Sequence, residues 1–191
     1  MIVLVKHSEP STDAGVPPQE WALSTAGRRR CVALAASLRS QRLTHVVTSS
    51  ERKAHETAEI VSTALAVPLD VDEALREHGR PALPVTSDAE FRRNVLRAFE
   101  RPTETLYGGE SLDVAVARVA TAVESWGSRL PSARLAFVTH GTVLAGFVAR
   151  ATGTDGARLW SRLALPSWVA IDPATRTVTG SWRADGVERD G

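Results

Sequence analysis

The first apolar run of the chain is short and ends abruptly: Ile2, Val3, Leu4 and Val5 stand together and give way to Lys6-His7-Ser8-Glu9. An uninterrupted run of branched apolar residues predicts a strand buried on both faces. Residues 7–22 carry Pro10, Gly15, Pro17 and Pro18 and predict a loop. Ser24 suits a helix N-cap, and Cys31, Leu34 or Ala35, and Leu38 recur behind it at helical spacing. A second strand is predicted over 43–48 (LTHVVT). A helix through 51–65 follows, with Ala54, Ala58, Val61 and Leu65 on one stripe.

The segment 73–109, with Pro81, Pro84 and Pro102, is less regular. It predicts one short helix near 87–100 and a cap or lid over the sheet. Ser111 opens a longer helix whose inward positions are Leu112, Ala115, Val119, Ala122 and Trp126. LAFVTH (135–140) predicts a strand ending on a second histidine, and TVLAGFVARATG a helix stopping near Gly153. SWVAID and TVTGSW (167–172, 177–182) predict a final pair of strands. Strands alternating with helices imply an α/β fold, a three-layer sandwich with a mostly parallel sheet covered by helices on both faces. The whole of 1–191 is expected to form a single domain, with 73–109 as its insertion.

Composition narrows this little. At 191 residues, 43% hydrophobic and 24% charged, the chain has the make-up of a soluble globular domain. A net charge of +1 favours neither nucleic acid nor an anionic membrane as partner. The run Arg28-Arg29-Arg30 reads as a solvated helix face. A single cysteine rules out an internal disulfide and a cysteine-based zinc site, and Cys31 falls among apolar helix positions. No stretch approaches the ~20 apolar residues of a membrane span. The N-terminal apolar run is too short for a signal peptide and has no basic residue before it, so a cytoplasmic location is expected.

The candidate chemistry sits at strand ends. In open α/β sheets ligands bind beyond the carboxyl ends of the strands. His7 and His140 both lie where an apolar strand stops, and Lys53 lies in the first turn of a helix that follows a strand. Lys6 and Lys53 are the only lysines among 23 basic residues. Two imidazoles, two ammonium groups and a helix N-terminus describe an anion site, and phosphate is its natural occupant. A neutral imidazole can attack phosphorus and form a phosphohistidine. The leaving alkoxide then needs a proton, which calls for a carboxylic acid at the rim. Glu77 in LREHGRP is the candidate, with Glu73, Glu90 and Glu110 as alternatives; Glu110 serves equally well as a structural hydrogen-bonding group. His45, His55 and His78 read as structural, and Trp126, Trp160, Trp168 and Trp182 as core or partly buried anchors. No ligand pair has metal-binding spacing, and no cofactor is expected.

The order of these blocks resembles the histidine phosphatase superfamily, the phosphoglycerate-mutase-like enzymes. The family's strand followed by Arg-His-Gly-Glu is similar to Lys6-His7-Ser8-Glu9. Its second block resembles LSTAGRRRCVALAASL (23–38), and its SSPLxRAxxTA resembles TSSERKAHETA (48–58). Leu75-Arg76-Glu77-His78 resembles the stretch carrying the acid, Gly108-Gly109-Glu110-Ser111 the Gly-Gly-Glu-Ser turn, and VTHGTVLAG the strand before His-Gly-Gly. The resemblance implies His7 as the phosphorylated nucleophile and His140 as a donor to the phosphoryl oxygens. It implies Lys6 and Lys53 on the equatorial oxygens, Glu77 as the acid that later activates water, and the Gly141 N–H completing the pocket. The expected activity is a metal-independent phosphatase of small phosphomonoesters. The alternatives are a catalytically weakened phosphate-binding module, a phosphomutase, or an interaction domain on the same fold. The oligomeric state is open, a dimer included.

This chain departs from the family pattern at several positions. Lysine stands at both usual arginine positions, and an ammonium is a compact point charge where a guanidinium makes two parallel bonds. Losing one charge-assisted bond at each position costs ~1.5–3 kcal/mol apiece if uncompensated. On sequence alone, arginine restored at both positions is expected to keep phosphate affinity. Ser8 replaces glycine, which would strain a backbone needing positive φ. Asp13 stands where relatives often place an asparagine, and would repel phosphate unless it points away. Arg76, Arg80, Arg92 and Arg93 suggest a substrate bearing further anionic groups.

Overall fold

A computed structural model describes residues 1–13, 15–79, 87–106 and 109–184. The elements in chain order are β1 (Ile2–Lys6), α1 (Thr25–Leu38), β2 (His45–Thr48), α2 (Arg52–Leu65), β3 (Leu69–Val71), α3 (Asp88–Glu100), α4 (Leu112–Arg129), β4 (Leu135–Thr139), α5 (Gly141–Thr152), α6 (Gly156–Arg162), β5 (Ser167–Asp172) and β6 (Thr177–Arg183). Ser24 and Ser111 cap helices as their positions in the sequence imply, and Ser87 does so as well. The hydroxyls of Ser24, Ser87 and Ser111 accept from the N–H of Gly27, Glu90 and Val114 at the starts of α1, α3 and α4.

The strands form one sheet in the order β3-β2-β4-β1-β5-β6. β3, β2, β4 and β1 run parallel, while β5 and β6 add an antiparallel edge beside β1. Successive residues of a strand face opposite sides, and both sides are apolar here. Leu4, Val47, Phe137, Val169 and Ile171 pack toward α4 and α5. Val3, Val5, Val46, Ala136, Val138, Trp168 and Ala170 pack toward α1 and α2. This double burial explains why β1 reads as a continuous apolar run, and it makes the molecule the three-layer sandwich that the alternation of elements implies.

Two elements have no strong signal in the sequence. β3 is three residues at the sheet edge with a charged centre, Leu-Asp-Val, held by pairing with β2. α6 is seven residues, and its Trp160 forms a small cluster with Val95 of α3 and Ala145 of α5. Residues 80–86 and 107–108 of the 73–109 segment, with Arg80 and Gly108, lie outside the described residues. Among the described residues no helix is long and apolar enough to cross a membrane.

Register brings the strand ends together. Lys6 pairs with Thr139 and Thr48 with Val138, so β1, β2 and β4 finish on one rim. The ladder continues one step past the strands, with the His7 N–H donating to Thr139 O and the Ser49 N–H to Val138 O, both at 3.0 Å. Gly27 fixes how α1 meets the loop leaving β1, because a Cβ there would stand 2.1 Å from the Glu9 carbonyl oxygen. Gly27→Ala is therefore expected to destabilise the fold by about 1–3 kcal/mol through overpacking, read as a lower urea midpoint at unchanged m.

Candidate active site

His7 is the first residue beyond β1 and is buried. Its Nδ1 lies 2.7 Å from the Ser8 carbonyl oxygen. A carbonyl only accepts, so Nδ1 carries the hydrogen and the lone pair of the neutral ring is on Nε2. Burial holds the His7 pKa well below the usual histidine value, and His140, Lys53 and Lys6 lower it further against the raising effect of the Ser8 bond. The ring is thus neutral at pH 7, in the tautomer a nucleophile needs. Among the described residues those with positive φ are Arg42, Ala66, Arg176 and Gly153; Ser8 is not one of them, so the strain expected for a serine here does not arise. Its hydroxyl instead donates to Gly27 O, and its N–H to Thr57 Oγ1.

His140 ends the β4 segment as the N-cap of α5 and is fully buried. Its ring meets that of His7 edge-on, with centroids 5.1 Å apart and planes at 61°. Its Nε2 lies 2.9 Å from Ser49 Oγ. Gly141 opens α5, where backbone N–H groups have no intrahelical acceptor. A Cβ on Gly141 would stand 3.2 Å from Lys6 Cε and 3.3 Å from Trp160 Nε1, so any larger residue would press on Lys6 where it lies across the helix start.

Lys6 donates to Leu163 O at 3.3 Å. Desolvation lowers its pKa to about 8, with Glu77 opposing and Arg92 adding to the fall. Arg92 reaches the site from α3 by lying over the face of Trp160, 5.4 Å from the ring centroid. The described part of the 73–109 segment therefore does put one cation beside Lys6. An alkaline limb in kcat/KM is expected near pH 8, because Lys6 loses its charge as pH rises through its folded value. The limb should move upward in Lys6→Arg, whose guanidinium does not titrate in this range. A limb that stays put in that variant would remove Lys6 from the site.

Lys53, in the first turn of α2, is 7% exposed. Its Nζ donates to Pro18 O at 2.8 Å and pairs with Glu51 Oε2 at 2.5 Å. Glu51 was absent from every sequence expectation. Its position carries leucine in the family pattern, and no local periodicity marks a carboxylate there as facing the site.

Glu77 is the carboxylate at the rim. Its Oε2 accepts from Thr142 N at 3.2 Å, and its Oε1 from Val143 N at 3.3 Å and His78 N at 2.8 Å. Glu77 thus sits on the N-terminus of α5 beside Gly141. Of the alternatives, Glu73 is exposed and Glu90 lies in the first turn of α3. Glu110 has a different task. Arg118 pairs with it at 2.6 Å and also donates to the carbonyls of Ala74, Arg76 and Glu77. Glu110 Oε1 accepts from Gly79 N, and its carbonyl accepts from His78 Nε2. Arg118 and Glu110 together clamp the loop that presents Glu77. Burial pushes the Glu110 carboxyl up, but the Arg118 and Gly79 bonds outweigh it and hold the pKa below its usual value. The stabilisation is present above the ordinary carboxylate range and is lost as pH falls through that depressed value. Arg118 was missed because an arginine on a helix reads as surface until the loop it grips is in place.

The other predicted residues take quieter positions. Asp13 accepts from the Gly15 N–H within its own exposed loop. His45 pairs with Asp70, and His55 lies 3.6 Å from Glu59. Arg76 stands 3.9 Å from Glu110, and Arg93 is exposed. Cys31 is buried in α1. Among the described residues no group of three or more His, Cys, Asp or Glu side chains is placed to hold a metal ion.

Residues 2–180 match the model of the histidine phosphatase superfamily, branch 1. The chain is 32% identical over 161 residues to phosphoglycerate mutase-like protein 4 of Arabidopsis thaliana, covering 78% of this chain and 70% of that protein. It is 28% identical to the glucosyl-3-phosphoglycerate phosphatase of Mycolicibacterium vanbaalenii, covering 97% and 86%. The solved structure of a mycobacterial glucosyl-3-phosphoglycerate phosphatase superposes with a TM-score of 0.71 at 23% identity, covering 88% of this chain and 87% of that one, and so shares the fold.

Proposed function

The chain belongs to the histidine phosphatase superfamily, and from that premise we propose that it is a metal-independent phosphatase hydrolysing small phosphomonoesters through a phosphohistidine on His7. The observation that carries this reading is the pairing of His7 and His140. One ring is held by Ser8 O with Nε2 as its lone-pair nitrogen, and the other stands edge-on 5.1 Å away.

The chemistry follows from the positions. His7 Nε2 attacks phosphorus in line, the P–O bond to the leaving group breaks, and its electron pair goes to the departing oxygen. Glu77 gives that oxygen a proton. His140, Lys6, Lys53 and the Gly141 N–H hold the three equatorial oxygens, where positioning and charge supply most of the rate. In the second half, Glu77 takes a proton from water as the water attacks phosphorus, and His7 leaves. The described residues work as one domain, with the described part of segment 73–109 as its cap. Arg92, stacked on Trp160 beside Lys6, is placed to meet a second anionic group on the substrate.

The test is turnover of an aryl phosphate and a panel of alkyl phosphomonoesters, some bearing carboxylates, with chelator present. Release of inorganic phosphate supports the reading. Transfer of the phosphoryl group to a second substrate hydroxyl, with little free phosphate, would assign a mutase instead. One observation favours a second reading, a weakened phosphate-binding module: Lys53 is already paired with Glu51. Phosphate binding without turnover of any ester would select it.

A further inference from the structure

The carboxylate of Glu51 lies inside a pocket that should be cationic, and its two oxygens are assigned to different tasks. Oε2 pairs with Lys53 Nζ at 2.5 Å. Oε1 accepts from the Glu77 N–H at 2.8 Å and lies 3.5 Å from His140 Nε2. The residue itself is the N-cap of α2, with φ −66°, and its N–H donates to Ser49 Oγ, which in turn touches His140. A single side chain therefore contacts the proposed equatorial cation, the second histidine and the backbone that presents the acid. It comes from the helix start that carries Lys53, and its carboxylate is about 13% exposed.

We propose that Glu51 is a positioning residue of this site, matched to an ammonium at position 53: it holds Lys53 and His140 in place, and an arginine at 53 would be captured by it. The reason is geometric. An ammonium has three N–H groups. Here one goes to Glu51 Oε2 and one to Pro18 O, which leaves the third for a phosphoryl oxygen. A guanidinium prefers both oxygens of a carboxylate at once. To satisfy it, Oε1 would have to leave Glu77 N and His140, and the guanidinium edge would face Glu51 rather than the substrate. Lysine at 53 and glutamate at 51 are then one device, which reverses the expectation that arginine at this position preserves phosphate affinity. The inference rests on the same pocket as the proposed phosphatase activity, but it concerns binding and does not need turnover.

Its test is a double-mutant cycle read by calorimetric binding of inorganic phosphate to the full chain, with kcat and KM for an aryl phosphate measured alongside. Lys53→Arg should weaken phosphate binding about ten-fold. Glu51→Gln/Lys53→Arg should recover it to within about three-fold of the parent, because the amide no longer competes for the guanidinium. Glu51→Gln alone should tighten phosphate several-fold by removing a negative charge, while kcat falls about ten-fold as Lys53 and His140 lose their anchor. A merely structural residue would not move affinity and turnover in opposite directions. Additive effects, or a Lys53→Arg variant that binds phosphate like the parent, would overturn the proposal. Should the glutamine variants melt below the assay temperature, Glu51→Leu/Lys53→Arg restores the family's pair and leaves no carboxylate to capture the guanidinium. Phosphate binding by that variant no better than by Lys53→Arg would count equally against the proposal. Absent turnover in every form, with the binding cycle intact, would overturn the phosphatase reading and leave this one standing.

Discussion

His7→Ala is expected to lower turnover of an aryl phosphate by at least about 10³-fold, because it removes the atom to which phosphorus becomes bonded. The loss should fall on kcat, since Lys6, Lys53, His140 and the α5 N-terminus remain to bind the anion. Inorganic phosphate should still bind within about ten-fold of the parent. Rapid quench of the parent with labelled substrate should trap an acid-labile, base-stable phosphoryl group, and His7→Ala should trap none. The imidazole makes its one hydrogen bond to the adjacent Ser8 carbonyl, so the variant should keep its fold. Turnover that survives in His7→Ala would exclude the phosphohistidine route.

Glu77→Gln should divide substrates by leaving group. An alkoxide leaves poorly without a proton, so kcat/KM for alkyl phosphomonoesters is expected to fall about 10²–10⁴-fold. A nitrophenolate leaves readily without one, so formation of the phosphoenzyme from the aryl ester should fall far less. If water attack on phosphohistidine also needs Glu77, the variant should accumulate phosphoenzyme with the aryl substrate. The amide can keep the bonds from His78 N and Val143 N through its oxygen, but its NH₂ then faces the Thr142 N–H. That mismatch should cost about 1–3 kcal/mol of stability and serves as an internal control by thermal melting. Equal losses for both ester types would show that Glu77 does not act as the acid.

The site as read from the sequence and the site in the fold overlap unevenly, for reasons visible in particular residues. His7, His140 and Lys6 were legible because each stands at the end of a mostly apolar strand, and the carboxyl ends of such strands are where an α/β sheet exposes its ligands, while Gly141 entered only through the family resemblance. Lys53 was legible as a first-turn cation, but its ion partner was not. Glu51 lies two positions before it, and nothing in a two-residue spacing tells whether two side chains share a pocket. Glu110 had an open assignment between chemistry and scaffolding. Arg118 decides it for scaffolding, since one guanidinium ties Glu110 to three carbonyls of the 74–77 stretch.

Local chemistry was enough to specify the alternation of strands and helices, the caps at Ser24 and Ser111, and the places where polar groups interrupt apolar runs. These depend on neighbours within a few positions, through periodicity, capping and strand-end polarity. Strand order, register and the Glu51 and Arg118 contacts lay beyond that range. They arise when β1, β2 and β4 pair in parallel and bring residues far apart in the chain into one plane, and β3 exists only because β2 offers it an edge. Long-range pairing depends on which surfaces can bury one another, a property of the assembled sheet that no window along the chain contains.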